Sequence, residues 1–400
     1  MDGLDDLRGE DMLNIPLMSD NIDKSDIEAL ITFLQTSNRF TNGPKVREFE
    51  SAWSNWLGGT KHSLFVNSGS SANFITMAAI HELYGDGEVI LSPIGWSSDV
   101  SAVIASGLKP VFVDVNKENM AMNIEQAISK MTDNTRAVLL THVLGHNGLT
   151  QKLVDECHKR NIILVEDVCE SHGATFQGKK CGSIGDVSNF SFYYAHHMST
   201  IEGGMICTNN SELHRLFRMY RSHGMLREVD DKQYMDKIVD EHPDLHPEFI
   251  FTVPGYNMRS TELNAVIGIN QLQRLDENIN RRKKNYEMFL EHLDSEKYYT
   301  DFDQEGCSNY AFVILLRNPD KELYKKVTTT LSNEGVEYRR GTAGGGNLLR
   351  QPYIRKRFPD INPSEFVNAE FIHEYGIYTG NYPNLTEDKI IGLCDVLNKL

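Results

Sequence analysis

The sequence predicts an α/β protein: a large domain with a mostly parallel sheet, followed by a smaller C-terminal α+β domain. Three observations carry this. Between about residues 60 and 210, short apolar runs alternate with runs of helical period, the pattern of a parallel sheet covered on both faces. The chain has 400 residues, more than one small core needs. A charged stretch with Pro243 and Pro247 then interrupts the alternation, and the remainder mixes helices with fewer strands.

Taken in order, residues 1–40 read as an N-terminal arm and helix, 41–260 as the large domain and 261–400 as the smaller one. The apolar run at 61–66 predicts a strand. Residues 70–83, with Phe74, Met77, Ala78 and Ile80 around one side, predict a helix. Strands at 88–91, 110–115, 137–140 and 162–165 alternate with helices at 98–105, 124–131 and 149–160, and the last of these strands runs into Glu166-Asp167. Shorter strands are expected near 190–192 and 205–208. The stretch 224–254 reads as an excursion over the surface. A long, bent helical stretch is expected at 261–293, and its run Arg281-Arg282-Lys283-Lys284 reads as a solvated face. A strand at 310–316, a helix at 321–334, a loop at Gly344-Gly345-Gly346 and a final strand and helix complete the chain.

Composition narrows the function. Hydrophobic content of 40% and charged content of 24% are those of a globular enzyme, and no low-complexity block suggests disorder. No apolar run approaches the roughly 20 residues of a membrane span. The acidic start, Met1-Asp2-Gly3-Leu4-Asp5-Asp6, lacks the basic and apolar regions of a secretory signal, so a cytoplasmic protein is expected. A formal net charge of −16 argues against a nucleic-acid or anionic-membrane binder. It leaves room for a small anion in an amide-lined pocket. Cys157, Cys169, Cys181, Cys207, Cys307 and Cys394 are scattered, without a CxxC pair or zinc spacing. Reduced thiols are expected, with no metal and no disulfide framework.

Several segments carry chemistry. Val66-Asn67-Ser68-Gly69-Ser70-Ser71-Ala72-Asn73 lies where a strand turns into a helix. Small residues there let the first-turn N–H groups reach a phosphate; a plain serine N-cap is the alternative. Asp167 ends a buried strand, where ligands bind in open α/β sheets. Its carboxylate can pair with a cationic ring nitrogen or cap the following turn, and Glu170 lies three residues on. Trp96 follows a strand end and can stack on a flat ligand or serve as packing. The most informative stretch is Phe190-Ser191-Phe192-Tyr193-Tyr194-Ala195-His196-His197-Met198-Ser199-Thr200-Ile201-Glu202-Gly203-Gly204.

That stretch resembles the active-site segment of the DegT/DnrJ/EryC1/StrS family, the fold-type-I (aspartate aminotransferase-like) sugar aminotransferases that use pyridoxal phosphate. Phe190, Ser191, Phe192, Glu202, Gly203 and Gly204 match, but His196 stands where the family has the lysine that binds the cofactor covalently. No lysine lies between Lys180 and Lys232. The resemblance extends over nearly the whole chain: Thr41-Asn42-Gly43-Pro44-Lys45-Val46 with Phe49-Glu50, Asn67 to Ala72, Glu166-Asp167-Val168-Cys169-Glu170-Ser171-His172-Gly173, and Pro254-Gly255-Tyr256-Asn257-Met258-Arg259 with Gln271-Leu272. Histidine for lysine, and Glu170 for the usual glutamine, are similar to the sugar 3-dehydratase branch. Val336-Glu337-Tyr338-Arg339, Gly346-Asn347-Leu348 and Gly380-Asn381 point the same way. A second deoxygenating branch carries an iron–sulfur cluster on grouped cysteines. Nothing lies between Cys207 and Cys307 here, so no such cluster is expected.

The resemblance implies pyridoxal or pyridoxamine phosphate held non-covalently in the large domain, L-glutamate as amine donor, and a nucleotide-linked 4-keto-6-deoxyhexose that loses its C3 hydroxyl. It implies Asp167 opposite the ring nitrogen, Trp96 stacked on the ring, and Glu170 beside them. Ser70, Ser71 and Ser191 would hold the phosphate, with Asn257 from the second subunit of a homodimer with shared active sites. His196 would be the base, since a neutral imidazole suits cellular pH, and His197 a support. Arg259, Arg339, and His223 with Arg221 are substrate candidates. Surface ion pairs and a solvated helix end are the alternatives for these. A nucleotide-sugar 4-aminotransferase without the lysine, and a family scaffold that has lost catalysis, are the rival functions. The nucleotide, the hexose and the role of 224–254 are not legible.

Overall fold

The computed structural model describes residues 12–19, 21–342 and 344–400; the acidic start read above lies outside them. The large sheet is built from β1 (His62–Val66), β2 (Glu88–Leu91), β3 (Lys109–Phe112), β4 (Thr135–Thr141) and β5 (Ile163–Asp167). A short hairpin of β6 (Thr175–Phe176) and β7 (Lys179–Lys180) follows, then β8 (Val187–Ser191) and β9 (Gly204–Thr208) complete the sheet. Its order is β1-β9-β8-β5-β4-β2-β3. The run from β3 to β8 is parallel, and β9 is antiparallel to both its neighbours.

The apolar runs form strands because both faces are covered. Side chains alternate between two buried clusters: Leu64, Val66, Val89, Leu91, Ala137 and Leu139 enter one, and Phe65, Ile90, Val138 and Leu140 the other. This is the period-2 signature of a doubly covered sheet. The first cluster continues into the C-terminal region through Phe312, Ile314, Ile377 and Leu393. There β10 (Ala311–Leu315), β11 (Tyr338–Arg340) and β12 (Gly376–Gly380) form an antiparallel sheet of order β10-β12-β11.

Four details differ from the sequence reading. The strand expected at 110–115 stops at Phe112, because Asp114 turns out to accept the Asn368 and Ala369 N–H groups (both 3.0 Å) at the start of the helix Val367–Tyr375. The helical stretch after 261 is two helices, Glu262–Leu272 and Leu275–His292. At their junction Arg274 reaches back to Asp26 (2.5 Å) and Asp23 (3.3 Å). Arg282 is not on a solvated face: it is buried, and its guanidinium donates to the carbonyls of Tyr310 (2.9 Å) and Asn381. Nor is Arg221 a solvated helix end. It is fully buried and donates to Glu50 Oε1 (2.9 Å) and the Phe65 carbonyl (3.0 Å). The excursion at 224–254 carries the helix Lys232–Glu241, which buries none of its residues.

The six cysteines are free thiols. Cys181 lies with His142 and Glu166 in a buried group whose ligand-type atoms are within 4.8 Å of one another. Those atoms are already engaged. Glu166 accepts from Gly182 N (2.7 Å), Ile184 N (3.1 Å), Gly185 N (2.6 Å) and His142 Nε2 (3.2 Å), while Gly148 N donates to His142 Nδ1 (3.1 Å). Glu166 thereby clamps the turn that leads into β8. Among the described residues, no helix is long and apolar enough to cross a membrane.

The buried pair Arg221–Glu50 gives a first test. Glu50→Ala removes the only carboxylate that, among the described residues, lies within 3 Å of the fully buried Arg221 guanidinium. It is expected to cost about 3–5 kcal/mol in urea unfolding; a loss below about 1 kcal/mol, the range of an exposed pair, would contradict the burial.

Candidate functional site

Parallel strands buried on both faces leave their carboxyl ends as the place where polar side chains can gather. A cavity of about 310 Å³ lies there. Ser68, Gly69 and Ser70 after β1, Trp96 after β2, Thr141 at the end of β4, Asp167 at the end of β5 and Ser191 at the end of β8 all line it. Tyr310, Arg339 on β11 and Tyr378 on β12 line the same cavity.

Ser68 caps the helix Gly69–Tyr84 by accepting from Ser71 N (3.0 Å). The remaining first-turn N–H groups and the positive helix end suit an anion. Gly69 is required: a Cβ there would stand 2.5 Å from Ser191 Cβ. Ser70 lines the cavity, but Ser71 does not. Its hydroxyl donates to Asn67 Oδ1 (2.6 Å) and its N–H to Ser68, so both groups are engaged within the turn.

Asp167 is buried, yet lines the cavity. It accepts from Cys169 N (3.0 Å) and Asn73 Nδ2 (2.9 Å). The amide of Asn73 is oriented by Asn189, whose Nδ2 donates to Asn73 Oδ1 (2.7 Å). A second carboxyl, Asp99, stands beside it, accepting from Asn73 Nδ2 (2.9 Å) and Thr141 Oγ1 (3.0 Å). Burial, and then the neighbouring Asp167 carboxylate, push Asp99 well above the usual carboxylate range. Glu170 accepts from Leu144 N (2.9 Å), and burial pushes it up to about 7. Trp96, 49% exposed, stands at the cavity's edge.

His196 lines the cavity. Its N–H donates to the Tyr193 carbonyl (3.0 Å), and its own carbonyl receives Asn21 Nδ2 (3.2 Å) and Arg282 Nη2 (3.5 Å). Burial, and then the Arg282 guanidinium, push the imidazole down to about 3. His197 turns away: its Nε2 donates to the Ser308 carbonyl (3.0 Å). The ring of Tyr310 lies 5.6 Å from that of His196, centroid to centroid.

Ser70, Trp96, Asp167, Glu170, Ser191, His196 and Arg339 are thus brought together, while Asn257, Arg259 and His223 are not. These three lie on paired loops: Asn257 bridges to Ser222, Arg259 to Val66, and His223 N donates to the Tyr256 carbonyl (2.6 Å). Asn257 is exposed there. Asp99, Thr141, Tyr310 and Tyr378 were missed. Asp99 had one signal, a carboxyl three residues after Trp96; the tyrosines had none, because only packing brings β12 and the segment before β10 to this edge.

Known proteins resemble the chain along its whole length. The model of the DegT/DnrJ/EryC1/StrS aminotransferase family matches residues 20–398. The GDP-4-keto-6-deoxy-D-mannose 3-dehydratase of Yersinia pseudotuberculosis is 30% identical, with 97% of this chain and 99% of that protein covered. The structure of the Escherichia coli enzyme of that name, with bound hydrated PLP, superposes with a TM-score of 0.86 at 30% identity, covering 96% of this chain and all of the other. A structure of GDP-4-keto-6-deoxymannose-3-dehydratase with a trapped PLP–glutamate geminal diamine has the same TM-score, 0.86, at 30% identity, again covering 96% of this chain and all of that one. With a match over residues 20–398, the chain belongs to the DegT/DnrJ/EryC1/StrS aminotransferase family.

Proposed function

We propose that the protein is a 3-dehydratase that removes the C3 hydroxyl of a nucleotide-linked 4-keto-6-deoxyhexose, using pyridoxamine phosphate held without a covalent bond and glutamate to restore its amine. One observation carries this reading: the cavity that joins Asp167, Ser70, Ser191 and Trp96 contains the imidazole of His196 and, among the described residues, no lysine. Relatives at 30% identity that bear the 3-dehydratase name support it.

The residues fit the cofactor. The cradle at Gly69, too tight for a Cβ, brings the helix N-terminus and the Ser191 side chain together for a phosphate. Asp167 sets a carboxylate where a ring nitrogen can meet it, Trp96 offers a flat face, and Glu170 stands beside them. Bound in its pyridoxamine form, the cofactor supplies an amine and an electron-accepting ring. His196 then takes the proton from the cofactor's C4′ carbon. Among the described residues no amino side chain lines the cavity to return a proton to C4 of the sugar; the proton that His196 has taken goes instead to the C3 hydroxyl, which leaves as water. Tyr310, Tyr378 and Arg339, from the C-terminal region, line the same cavity and face the sugar. A second copy of the chain supplies Asn257 to the phosphate, which accounts for its exposure outside its own cavity; Arg259 and His223 lie on the same pair of loops. The division at about residue 260 separates the cofactor domain from the smaller one. Free thiols and a nucleotide-sugar substrate fit a cytoplasmic enzyme.

His196 differs in one respect from the sequence-level expectation of an imidazole near its usual pKa. Without bound anions it is a weak base, fixed in the neutral form by burial and Arg282. A phosphate brought into the same cavity raises its basicity, because a nearby negative charge favours the protonated form. Base strength is thereby linked to occupancy.

Three outcomes follow. Incubation of amine-loaded enzyme with a panel of nucleotide 4-keto-6-deoxy sugars yields, by mass spectrometry, a 3-deoxy ketosugar; a product retaining the amine and the C3 hydroxyl sinks the assignment. His196→Asn binds cofactor but turns over about 10² to 10⁴ times more slowly, whereas His196→Lys attaches the cofactor covalently, with a new visible absorption band, and loses deoxygenation. A His196→Lys enzyme that dehydrates like the parent would overturn the role of His196. In ¹⁵N NMR of the cofactor-free protein, His196 stays neutral from about pH 8 down to 5, since a depressed pKa keeps the proton off until well below the ordinary imidazole value. Arg282→Met raises that pKa and Arg282→Lys does not; a His196 titrating at its ordinary value in the parent would contradict the account.

A further inference from the structure

We infer that Asp99 and Asp167 hold one proton between them, with Asp99 as the neutral partner, so that the floor of the cavity carries a single fixed negative charge. The inference deepens the proposed function, resting on the reading that Asp167 meets the cofactor's ring nitrogen.

The geometry is that of a shared site. Asp99 and Asp167 are 2% and 3% exposed. The same amide nitrogen, Asn73 Nδ2, lies 2.9 Å from Asp99 Oδ1 and 2.9 Å from Asp167 Oδ2. It cannot be exchanged for an oxygen, because Asn189 Nδ2 already donates to the other end of Asn73, and Thr76 Oγ1 fixes Asn189 in turn (2.9 Å). Among the described residues, no Lys, Arg or His forms an ion pair with either carboxyl. Two carboxylates that share a buried site without a cation do not both ionise.

The surroundings decide which one keeps the proton. Asp167 accepts from a backbone N–H, that of Cys169, and backbone donors favour the charged form. Among the described residues Asp99 accepts from no backbone N–H; its partners are the Asn73 and Thr141 side chains and the Asp167 carboxyl itself, a contact that needs one of the two acids protonated. The Thr141 hydroxyl can rotate and accept from an Asp99 carboxylic acid as readily as it donates to a carboxylate. The loop bearing Trp96 packs onto this oxygen: a Cβ on Gly95 would stand 2.6 Å from Asp99 Oδ2, which covers it on that side. Burial and the Asp167 charge act on Asp99 in the same direction. Glu170, the other acid nearby, contributes a further like charge when ionised. Asp99 is therefore a positioning residue. It orients the Asn73 amide on Asp167 without adding a second charge beneath the cofactor ring.

The test is infrared difference spectroscopy of the parent against Asp99→Asn at neutral pH, with and without pyridoxamine phosphate. A protonated-carboxyl stretch present in the parent and missing from the variant is expected; its absence from the difference spectrum overturns the inference. Asp99→Asn, neutral and of the same shape, is expected to bind pyridoxamine phosphate like the parent, while Asp167→Asn weakens binding by about ten-fold or more. A ten-fold loss in Asp99→Asn would show that Asp99 is charged and overturn the inference. If Asp99→Asn does not fold, neutron diffraction of the parent enzyme decides: deuterium on an Asp99 oxygen is expected, and a deuterium-free pair refutes it. Should Asp167→Asn bind pyridoxamine phosphate undiminished, the cofactor reading fails while the shared proton is still judged by the spectra.

Discussion

Everything at the site follows from one constraint: a sheet buried on both faces can present polar side chains only beyond its carboxyl ends. β4, β5 and β8 are buried almost throughout and end in Thr141, Asp167 and Ser191. The neighbouring turns add Ser70 and Trp96, and the C-terminal region closes the cavity with Tyr310, Arg339 and Tyr378. The close contacts at Gly69 and Gly204, where a side chain would strike Ser191 and the Ser68 carbonyl, lock the turn after β1 against β8 and β9. Chemistry here is a property of strand register as much as of residue type.

Electrostatics divides the cavity in two. At its floor, Asp99, Asn73 and Asp167 form a negatively charged network suited to a cationic ring nitrogen. Behind His196, Arg282 is a buried cation whose acceptors are carbonyls and the Met18 sulfur rather than a carboxylate. An unneutralised guanidinium at this depth costs stability. It also helps keep the imidazole in its neutral form, the form that can accept a proton.

Much of this was legible in the sequence because it is local. Alternating apolar runs located the strands, strand ends pointed to Asp167 and Trp96, and the resemblance of the stretch 190–204 pointed to Ser191 and His196. What was illegible depends on tertiary contact. Arg282 read as one of four solvated cations, although Leu275, Ile279, Arg282, Tyr286 and Phe289 share the buried stripe of their helix at helical spacing; charge masked its position. Ser70 and Ser71 are alike in sequence, and only the structure shows that the hydroxyl of Ser71 bonds to Asn67. Asp99 drew no reading, and Arg221 read as a substrate candidate or a solvated helix end, since nothing in the sequence reveals Asp167 beside the one or Glu50 beside the other.

The central claim is that an imidazole in place of a tethering amine turns a transamination scaffold toward loss of the C3 hydroxyl. The fate of the cofactor's nitrogen tests it most directly. In a single turnover of enzyme loaded with ¹⁵N-pyridoxamine phosphate and mixed with a nucleotide 4-keto-6-deoxyhexose, the label is expected to appear as ammonium alongside a 3,6-dideoxy ketosugar. Label retained at C4 of the sugar, with the C3 oxygen in place, would contradict the account.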